Sequence, residues 1–519
     1  MWKKFLAVAI SVALLAPGWL GWSGLSLIVA LVPMLWISSQ AEDSKRGWWG
    51  VFGWVLLICV GWNLSTIMWI ANATPVGPVA ATIASSFITL LGFMTFHTVS
   101  KKASKALAYT VFVSLWIALE YIYTYNDFSW PWLLLGNGLS NDIWAVQWYE
   151  YTGLYGGSAW ILLSNVMIFE AWQQRSKWII AGAVATVVTP LVISAAIYAT
   201  YKEPTGQQVM VSVIQPNVDC YDKFSGDKEA QKQNIIELIK GIHRDSKFAF
   251  VPETAIPGYY WEDLIPINKT IDEYRYTLAR YRPFAYLISG TNTMVNYPDG
   301  KQSATARHHV TRGYYDVFNA AIGMDRNGNH RIHRKSKLVI GVENTPTWIF
   351  KLFNFFVIDL GGVVGQIGKG DGVTVFDNES GVVVGSAICY EALYGNYYAD
   401  FVRNGAQFMG IISNDGWWGN TAGHRMLYSM SSLRAVETRR AIARSANTGI
   451  SGFINSRGDS IEKLGWDERG SLTHTIPLND KMTFYVRYGD YIARLAQFIA
   501  ALAILYFMAY RIKRRHYLD

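Results

Sequence analysis

The chain has 519 residues, of which 51% are hydrophobic and only 16% are charged. Soluble domains carry about 25% charged residues, so the composition favours a membrane protein with a folded part outside the bilayer. The formal net charge of +8 would suit nucleic-acid binding, but the placement of the basic residues argues against that partner. Three cysteines are too few for a disulfide framework, although Cys220 and Cys389 could form one disulfide.

Eight apolar segments are predicted to be membrane-spanning helices. A helix needs about 17–25 apolar residues to cross a bilayer, and most of the segments approach this length, although the second is short. The segments are 5–21, 24–38, 51–70, 79–97, 107–125, 157–173, 178–200 and 490–510. The start of the chain also resembles a signal peptide, but no small-residue cleavage site follows, so we expect an uncleaved first helix.

Lysine and arginine occur on alternate loops between these segments. They lie at 3–4, 45–46, 101–105, 175–177 and 511–515, whereas the intervening loops have none. This positive-inside pattern predicts that both termini are cytoplasmic and that the region between helices seven and eight is extracytoplasmic. The predicted domains are therefore 1–202, 203–486 and 487–519.

The connection 126–156 carries no Lys or Arg and is rich in Trp and Tyr. Such residues are typical of an interfacial aromatic belt, which is the favoured interpretation. Contact with substrate is the alternative.

The region 203–486 alternates predicted strands with predicted helices. The strands are 208–214, 248–251, 286–290, 317–324, 330–339, 382–388, 408–413 and 449–454, and the helices are 227–242 and 424–446. Asp325-Arg-Asn-Gly328 predicts a hairpin through Asn-Gly. The pattern predicts an α/β domain made of two packed sheets or one wound sheet.

Reactive side chains follow several predicted strands. Cys389 ends the run 382–388, and Asn414 with Trp417 and Trp418 follows the run 408–413. The ends of two parallel strands at one sheet edge commonly make a site, although Cys389 could equally be a buried, inert thiol.

Glu253 and Lys335 also lie at or just after predicted strands. Taken singly, each is more typical of a solvated surface residue. Together with Cys389, in the order Glu, Lys, Cys, they resemble the catalytic triad of the nitrilase (carbon–nitrogen hydrolase) superfamily.

With the eight spans added, the chain resembles the bacterial apolipoprotein N-acyltransferase family over nearly its full length. The motifs that carry this resemblance are Val213-Ile-Gln-Pro-Asn217, Pro252-Glu253, Leu338-Val339, Cys389-Tyr390-Glu391, Ser413-Asn-Asp-Gly-Trp-Trp-Gly419 and Arg444-Ser-Ala-Asn-Thr-Gly449. Two features depart from the family pattern. Leu338-Val-Ile-Gly-Val-Glu343 lacks the usual proline, and Lys337 stands where the family usually has histidine.

The resemblance implies an αββα sandwich on the periplasmic side of the bacterial inner membrane. The implied enzyme transfers an acyl chain from a membrane phospholipid, through a thioester on Cys389, to the N-terminal amine of the diacylglyceryl-cysteine of an apolipoprotein. Glu253 is the expected general base, and Lys335 is the expected cation that lowers the cysteine pKa and holds the oxyanion. Because amide formation from a thioester is downhill, neither a metal nor a cofactor is expected.

Glu343, Tyr390 and Glu391 are expected to support this site. Glu343 would orient Lys335, while Tyr390 and Glu391 would shape the pocket. For both glutamates, a structural salt bridge is an open alternative.

Two other functions remain open at this point: a membrane-anchored amidase that uses water as acceptor, and a non-enzymatic scaffold on a decayed hydrolase fold.

A ninth apolar run, 348–364, contains Lys351 and Asp359, whose burial in hydrocarbon is costly. It is predicted to be an arm whose phenylalanines, Phe353, Phe355 and Phe356, rest in the outer leaflet and contact the lipid substrate. A buried core segment is the alternative.

Overall fold

A computed structural model describes residues 1–126, 128–221, 223, 226–344 and 366–516. The chain forms two compact units, one made of Met1–Thr200 with Tyr488–Asp519 and the other of Tyr201–Arg487. The predicted arm 348–364, with Phe353, Phe355 and Phe356, lies outside the described residues.

The first unit is helical. Its helices are α1 (Trp2–Leu15), α2 (Leu27–Ala30), α3 (Val32–Ser39), α4 (Lys45–Ile67), α5 (Gly77–Lys102), α6 (Lys105–Thr124), α7 (Tyr149–Gln174), α8 (Lys177–Thr200) and α14 (Tyr491–His516). In the described part of the chain, seven helices are long and apolar enough to cross a membrane. The second predicted span is a shorter apolar stretch, Gly24–Ser39. Pro33 lies at the start of α3, and its missing N–H is tolerated only in a first helical turn, so the stretch is divided into short helices.

The aromatic connection between α6 and α7 is partly core. Trp132 is 1% exposed, and its carbonyl accepts a hydrogen bond from the Trp19 indole at 2.8 Å. Trp144 and Tyr151, in contrast, are exposed. Only part of the connection therefore presents the free aromatic surface that an interfacial belt requires.

A buried carboxylate ties this connection to α6. Glu120 is 4% exposed, and its Oε1 accepts from the Leu135 N–H at 2.8 Å and from the Trp116 indole at 3.3 Å. It borders a cavity of about 30 Å³. Because an unpaired buried N–H is costly, Glu120 stabilises the path of the chain after α6.

Replacement of Glu120 by leucine should lower the stability of the first unit by about 1–3 kcal/mol, because the Leu135 N–H loses its acceptor. Glu120→Gln keeps an acceptor oxygen and should cost less. Thermal unfolding in detergent measures both, with Glu42→Gln at an exposed loop position as the control. Equal midpoints for Glu120→Leu and the control would show that the contact contributes nothing.

Among its described residues, the second unit contains two sheets with parallel strands at their centres and five α-helices. The strands are β1 (Gln208–Gln215), β2 (Phe248–Val251), β3 (Tyr259–Trp261), β4 (Tyr286–Tyr297), β5 (Arg307–His309), β6 (Gly313–Met324), β7 (His330–Arg334), β8 (Val375–Asp377), β9 (Val383–Ile388), β10 (Phe408–Ser413), β11 (Ile442–Ala446), β12 (Ser451–Ile454), β13 (Ser460–Leu464) and β14 (Gly470–Pro477). The helices are α9 (Lys228–Gly241), α10 (Lys269–Tyr281), α11 (Gly395–Arg403), α12 (Ala422–Thr438) and α13 (Phe484–Tyr488).

One sheet has eight strands, in the order β14-β1-β2-β4-β6-β5 with β3 on β4 and β7 on β6. The other has six, in the order β13-β12-β11-β10-β9-β8. The pairs β1–β2, β2–β4, β9–β10 and β10–β11 are parallel. The carboxyl ends of β2 and β4 therefore meet at one edge, as do those of β9, β10 and β11.

The two sheets pack face to face between helical layers. The rings of Phe248 and Phe408 lie 5.3 Å apart across the interface, and a Cβ on Gly410 would lie 2.0 Å from Phe250. Isoleucine and leucine side chains of α9 and α10 cover the outer face of the eight-stranded sheet. On the other side, Phe401 of α11 packs against β9. The predicted αββα sandwich is confirmed.

The predicted helix 424–446 is wrong at its C-terminal end. Helix α12 stops at Thr438, and the next residue, Arg439, has a left-handed φ of 49°. The following segment, β11, is buried between β10 and β12 in the six-stranded sheet. Strand pairing therefore overrides a local pattern that is compatible with a helix.

Candidate active site

Three of the predicted reactive residues lie at strand ends on the facing sheets. Glu253 lies two residues after β2, Lys335 directly follows β7, and Cys389 directly follows β9. The first two belong to the eight-stranded sheet and the third to the six-stranded sheet. All three are buried, with exposures of 6%, 1% and 5%.

The Lys335 ammonium lies between two carboxylates. Its Nζ donates to Glu253 Oε1 and to Glu343 Oε1, each at 2.9 Å. The Asn319 amide donates to the same two oxygens, at 2.7 Å and 2.9 Å. The main-chain carbonyl of Asn319 also accepts a hydrogen bond from the main-chain N–H of Lys335 at 2.8 Å. Glu343 thus pairs with Lys335, and its role in orienting the lysine stays a prediction.

Asn319 was not predicted from the sequence. It lies within β6, in a run of buried residues from 317 to 324. The available signal was an amide in the otherwise apolar run 317–324, since a buried polar side chain needs hydrogen-bond partners.

The electrostatics of the Glu253–Lys335 pair favour the charged forms of both side chains. Burial alone raises the pKa of Glu253, but Lys335, Asn319 and Lys223 outweigh it and leave the pKa below its ordinary value. Burial alone lowers the pKa of Lys335, but Glu253 and Glu343 raise it well above the ordinary value. At neutral pH the site therefore holds a carboxylate and an ammonium.

Cys389 is a thiol in this environment. Its φ is 49°, a left-handed conformation that is uncommon outside glycine. Burial raises the pKa of Cys389, Glu253 raises it further, and Lys335 lowers it by less. The expected effect of the lysine is present in direction, but burial and Glu253 outweigh it. A base must therefore take the proton as the sulfur attacks.

Asn414 contacts Glu253 through its main chain. Its N–H donates to Glu253 Oε2 at 3.1 Å, while its side-chain oxygen accepts from Asn447 at 3.0 Å. Of the two following tryptophans, which are half-buried, Trp417 packs edge-on against Tyr221 at 5.5 Å. Substrate contact by Asn414, Trp417 and Trp418 stays a prediction.

The loop that carries Asn414 is anchored by a buried ion pair. Asp415 accepts from Arg444 at 2.9 Å and 3.1 Å, and both side chains are fully buried. Arg444 lies on β11. The motifs 413–419 and 444–449 are therefore joined directly.

Glu391 lies in a separate buried cluster. Its Oε2 is 3.0 Å from His333 Nε2, and both side chains are fully buried. The N–H groups of Ile388 and Ser336 donate to it at 2.9 Å and 2.7 Å, as does the Tyr397 hydroxyl at 2.9 Å. Burial alone raises the pKa of Glu391, but His333 and these N–H groups lower it below its ordinary value.

The two N–H donors to Glu391 belong to the residues next to Cys389 and Lys335. Glu391 therefore holds the ends of β9 and β7 together. The contact with His333 agrees with the structural alternative for Glu391, and its role in shaping the pocket stays a prediction.

Tyr390 and Lys337 lie beside this cluster. The Tyr390 ring packs edge-on against Tyr394 at 5.4 Å. The Lys337 ammonium lies 5.2 Å from the Tyr394 ring and 5.3 Å from the Tyr397 ring, and burial lowers its pKa.

All three cysteines are free thiols, so the alternative of a Cys220–Cys389 disulfide is wrong. Among the described residues, no group of three or more His, Cys, Asp or Glu side chains could hold a metal ion.

Two family models match the chain. Residues 210–482 match the carbon–nitrogen hydrolase model, and residues 8–167 match the apolipoprotein N-acyltransferase N-terminal domain. The apolipoprotein N-acyltransferase of Chlorobaculum tepidum is 28% identical over 503 residues, covering 92% of this chain and 90% of that protein. That of Thermotoga maritima is 24% identical over 529 residues, covering 97% and 94%.

Solved structures with a similar fold include nitrilase-superfamily proteins. Nit3 of Saccharomyces cerevisiae has 18% identity and a TM-score of 0.38, covering 52% of this chain and 91% of that one. An amidase from Nesterenkonia sp. has 15% identity and a TM-score of 0.35, covering 54% and 93%.

Glu253 can act on Cys389 in two ways, by its negative charge and by accepting a proton. A pH titration of the thiol tests the effect of the charge alone. Because Glu253 raises the pKa of Cys389, Glu253→Gln should lower that pKa and make the free thiolate more abundant at a given alkaline pH. Thiolate absorbance during a pH titration measures this, with Cys389→Ala as the blank. A pKa that rises in Glu253→Gln would show that the carboxylate does not act on the thiol as the structure indicates.

Proposed function

The chain belongs to the carbon–nitrogen hydrolase family, and from this premise we propose that Glu253, Lys335 and Cys389 are a catalytic triad for acyl transfer. The acyl donor is a membrane phospholipid, and the acceptor is the N-terminal amine of the diacylglyceryl-cysteine of an apolipoprotein. The observation that carries the proposal is the buried Glu253–Lys335 pair beside Cys389. The family match of residues 8–167 directs it from amide hydrolysis to lipoprotein N-acylation.

The first half-reaction forms the thioester. As Cys389 Sγ attacks the ester carbonyl carbon of the phospholipid, Glu253 takes the thiol proton. The bond from the carbonyl carbon to the glycerol oxygen then breaks, and the lysophospholipid leaves with that proton. An ammonium has three donors, of which Lys335 gives two to Glu253 and Glu343. The third can stabilise the developing oxyanion, together with N–H groups at the start of the 3-10 helix Cys389–Leu393.

The second half-reaction forms the amide. The acceptor amine attacks the thioester carbonyl carbon and passes a proton to Glu253. The bond to Cys389 Sγ breaks, and the departing sulfur recovers a proton from Glu253, which restores the thiol. Because an amide is more stable than a thioester, the transfer needs no nucleotide.

The burial of the site supports an amine acceptor over water. Cys389 is 5% exposed, so bulk water has little access to a thioester formed there. Exclusion of water suppresses hydrolysis of reactive intermediates. An acceptor delivered in place of water can then react.

Purified protein in phospholipid vesicles, given a diacylglyceryl lipopeptide with a free amine, should yield N-acylated lipopeptide and lysophospholipid. Cys389→Ala should yield neither, because it removes the atom that carries the acyl chain. Mass spectrometry of the lipopeptide and of intact protein measures product and thioester. Free fatty acid as the main product would identify a hydrolase instead, and product from Cys389→Ala would exclude the proposed nucleophile.

The chain is a membrane protein, with seven helices of sufficient length and apolarity among the described residues. We propose that it resides in the bacterial inner membrane with both termini in the cytoplasm and residues 203–486 on the periplasmic side. The alternation of basic loops supports this orientation. It would place the reactive thiol on the same side as exported apolipoproteins.

Single cysteines at exposed positions test the orientation. In a chain without native cysteines, Lys228→Cys should react with an impermeant maleimide applied from the periplasm, whereas Glu42→Cys should react only after the inner membrane is opened. Both positions are exposed, so accessibility differs only by side. Labelling of Glu42→Cys before the membrane is opened would reverse the orientation.

A further inference from the structure

A second buried lysine contacts the main chain of the candidate base. Lys223, in the connection between β1 and α9, is 4% exposed. Its Nζ donates to the Glu253 carbonyl oxygen at 2.6 Å. A lysine in a polar connection is normally solvated, so its burial here calls for a physical reason.

The contact lies at a strained turn. Thr254, which follows Glu253, has a left-handed φ of 47°, a conformation that is strained for a residue other than glycine. A Cβ on Gly290 would lie 2.3 Å from the Thr254 N, so the turn is tightly packed. The Lys223 ammonium, by donating to the Glu253 carbonyl, stabilises this turn. It thereby fixes the position of the Glu253 main chain, from which the carboxylate side chain extends.

The segment that carries Lys223 is anchored on the site. The Lys223 N–H donates to the Asp219 carbonyl at 3.0 Å, and the Asn217 N–H donates to the Asn447 carbonyl at 3.0 Å. Buried Cys220 packs against Gly416, where a Cβ would lie 3.0 Å from the cysteine Cβ. These contacts bring the lysine to Glu253 from outside the two sheets.

The charges of the buried cluster balance only when Lys223 is included. Two carboxylates, Glu253 and Glu343, face two ammoniums, Lys335 and Lys223. Transfer of a proton from Cys389 to Glu253 leaves the net charge of this cluster, with the sulfur included, at zero. Without the charge of Lys223, the same cluster carries one net negative charge, which disfavours the Glu253 carboxylate.

The other ionisable groups near this cluster do not replace that charge. Asp415 acts on Glu253 and Cys389 but is paired with Arg444. Cys220 carries a thiol whose pKa burial and Asp219 raise to about 11. Burial lowers the pKa of Lys223 to about 8, while Glu253 and Cys220 act to raise it, so the ammonium predominates at pH 7.

We propose that Lys223 is a positioning residue for the general base, which holds the Glu253 main chain and keeps its carboxylate ionised between proton transfers. This inference rests on the proposed function for the role of Glu253 as base. It concerns the pH range in which Glu253 can accept a proton from Cys389. Lys223 acts through Glu253, whose main-chain carbonyl accepts its hydrogen bond.

Alkylation of Cys389 by iodoacetamide between pH 4.5 and 6.5 tests the inference on the full chain in detergent. Peptide mass spectrometry separates Cys389 from Cys220 and Cys59. The wild-type rate should stay level, because Glu253 remains ionised across this range. The rate of Lys223→Gln should fall severalfold towards the acid end, because loss of the nearby cation moves the titration of Glu253 upward into this pH range.

Two variants separate charge from packing. Lys223→Arg keeps a cation and should retain the level wild-type profile, and Lys228→Gln at an exposed position of α9 is the matched control. If Lys223→Gln does not fold, Lys223→Met keeps the aliphatic stem and should show the same acid loss. A level profile in a folded Lys223→Gln or Lys223→Met variant would overturn the inference.

The assay needs no acyl donor, so its outcome is independent of acyl-transfer activity. A shifted profile in a protein that makes no N-acylated lipopeptide would reject the proposed function and retain the role of Lys223. If the wild-type protein makes N-acylated lipopeptide and its Lys223→Gln variant has a level profile, the role of Lys223 is rejected and the proposed function is retained.

Discussion

The buried ammonium of Lys335 is the constraint on which the site depends. A charge without solvent is tolerated only when it is paired and hydrogen-bonded, and here Glu253 and Glu343 supply both conditions. Asn319 reaches the same two oxygens, so the carboxylates cannot turn away without leaving several polar groups unpaired. The Glu253 carboxylate, which we propose as the general base, therefore has one orientation before any substrate arrives.

Burial and the same ion pair together explain why the thiol is kept protonated. A stable thiolate would need a cation of its own, but the lysine is already neutralised by two carboxylates, one of which repels the thiolate. The charge needed for attack thus appears only when a proton moves to Glu253. Such coupling limits reaction with electrophiles that cannot occupy the site in the geometry the base requires.

Much of the fold was predictable from local patterns. Apolar length identified the helices of the first unit, and short apolar runs identified β1, β2, β9 and β10. Strand β11 was missed because Ile-Ala-Arg-Ser-Ala is compatible with a helix, and only its neighbours in the sheet decide the outcome.

The site was predictable by residue type and less so by partner. Glu253, Lys335 and Cys389 follow strands, which local sequence can suggest. The pairing of His333 with Glu391 joins residues 58 apart in the chain, and the contact of Lys223 with Glu253 joins residues 30 apart. No local spacing rule predicts such contacts, since they arise from how the sheets and connections pack.

The division of reactive groups between two sheets has a consequence for biogenesis. The eight-stranded sheet is complete only when β14 pairs with β1, matching Gln208 with Pro477, so this pairing must wait for nearly all of the second unit to be synthesised. Closing so long a loop is slow compared with forming local structure. Until the sheets dock, Cys389 has neither Glu253 nor Lys335 beside it, and its thiol lies outside the buried environment that raises its pKa in the folded protein. Chemistry that needs all three side chains can therefore begin only after the second unit has folded.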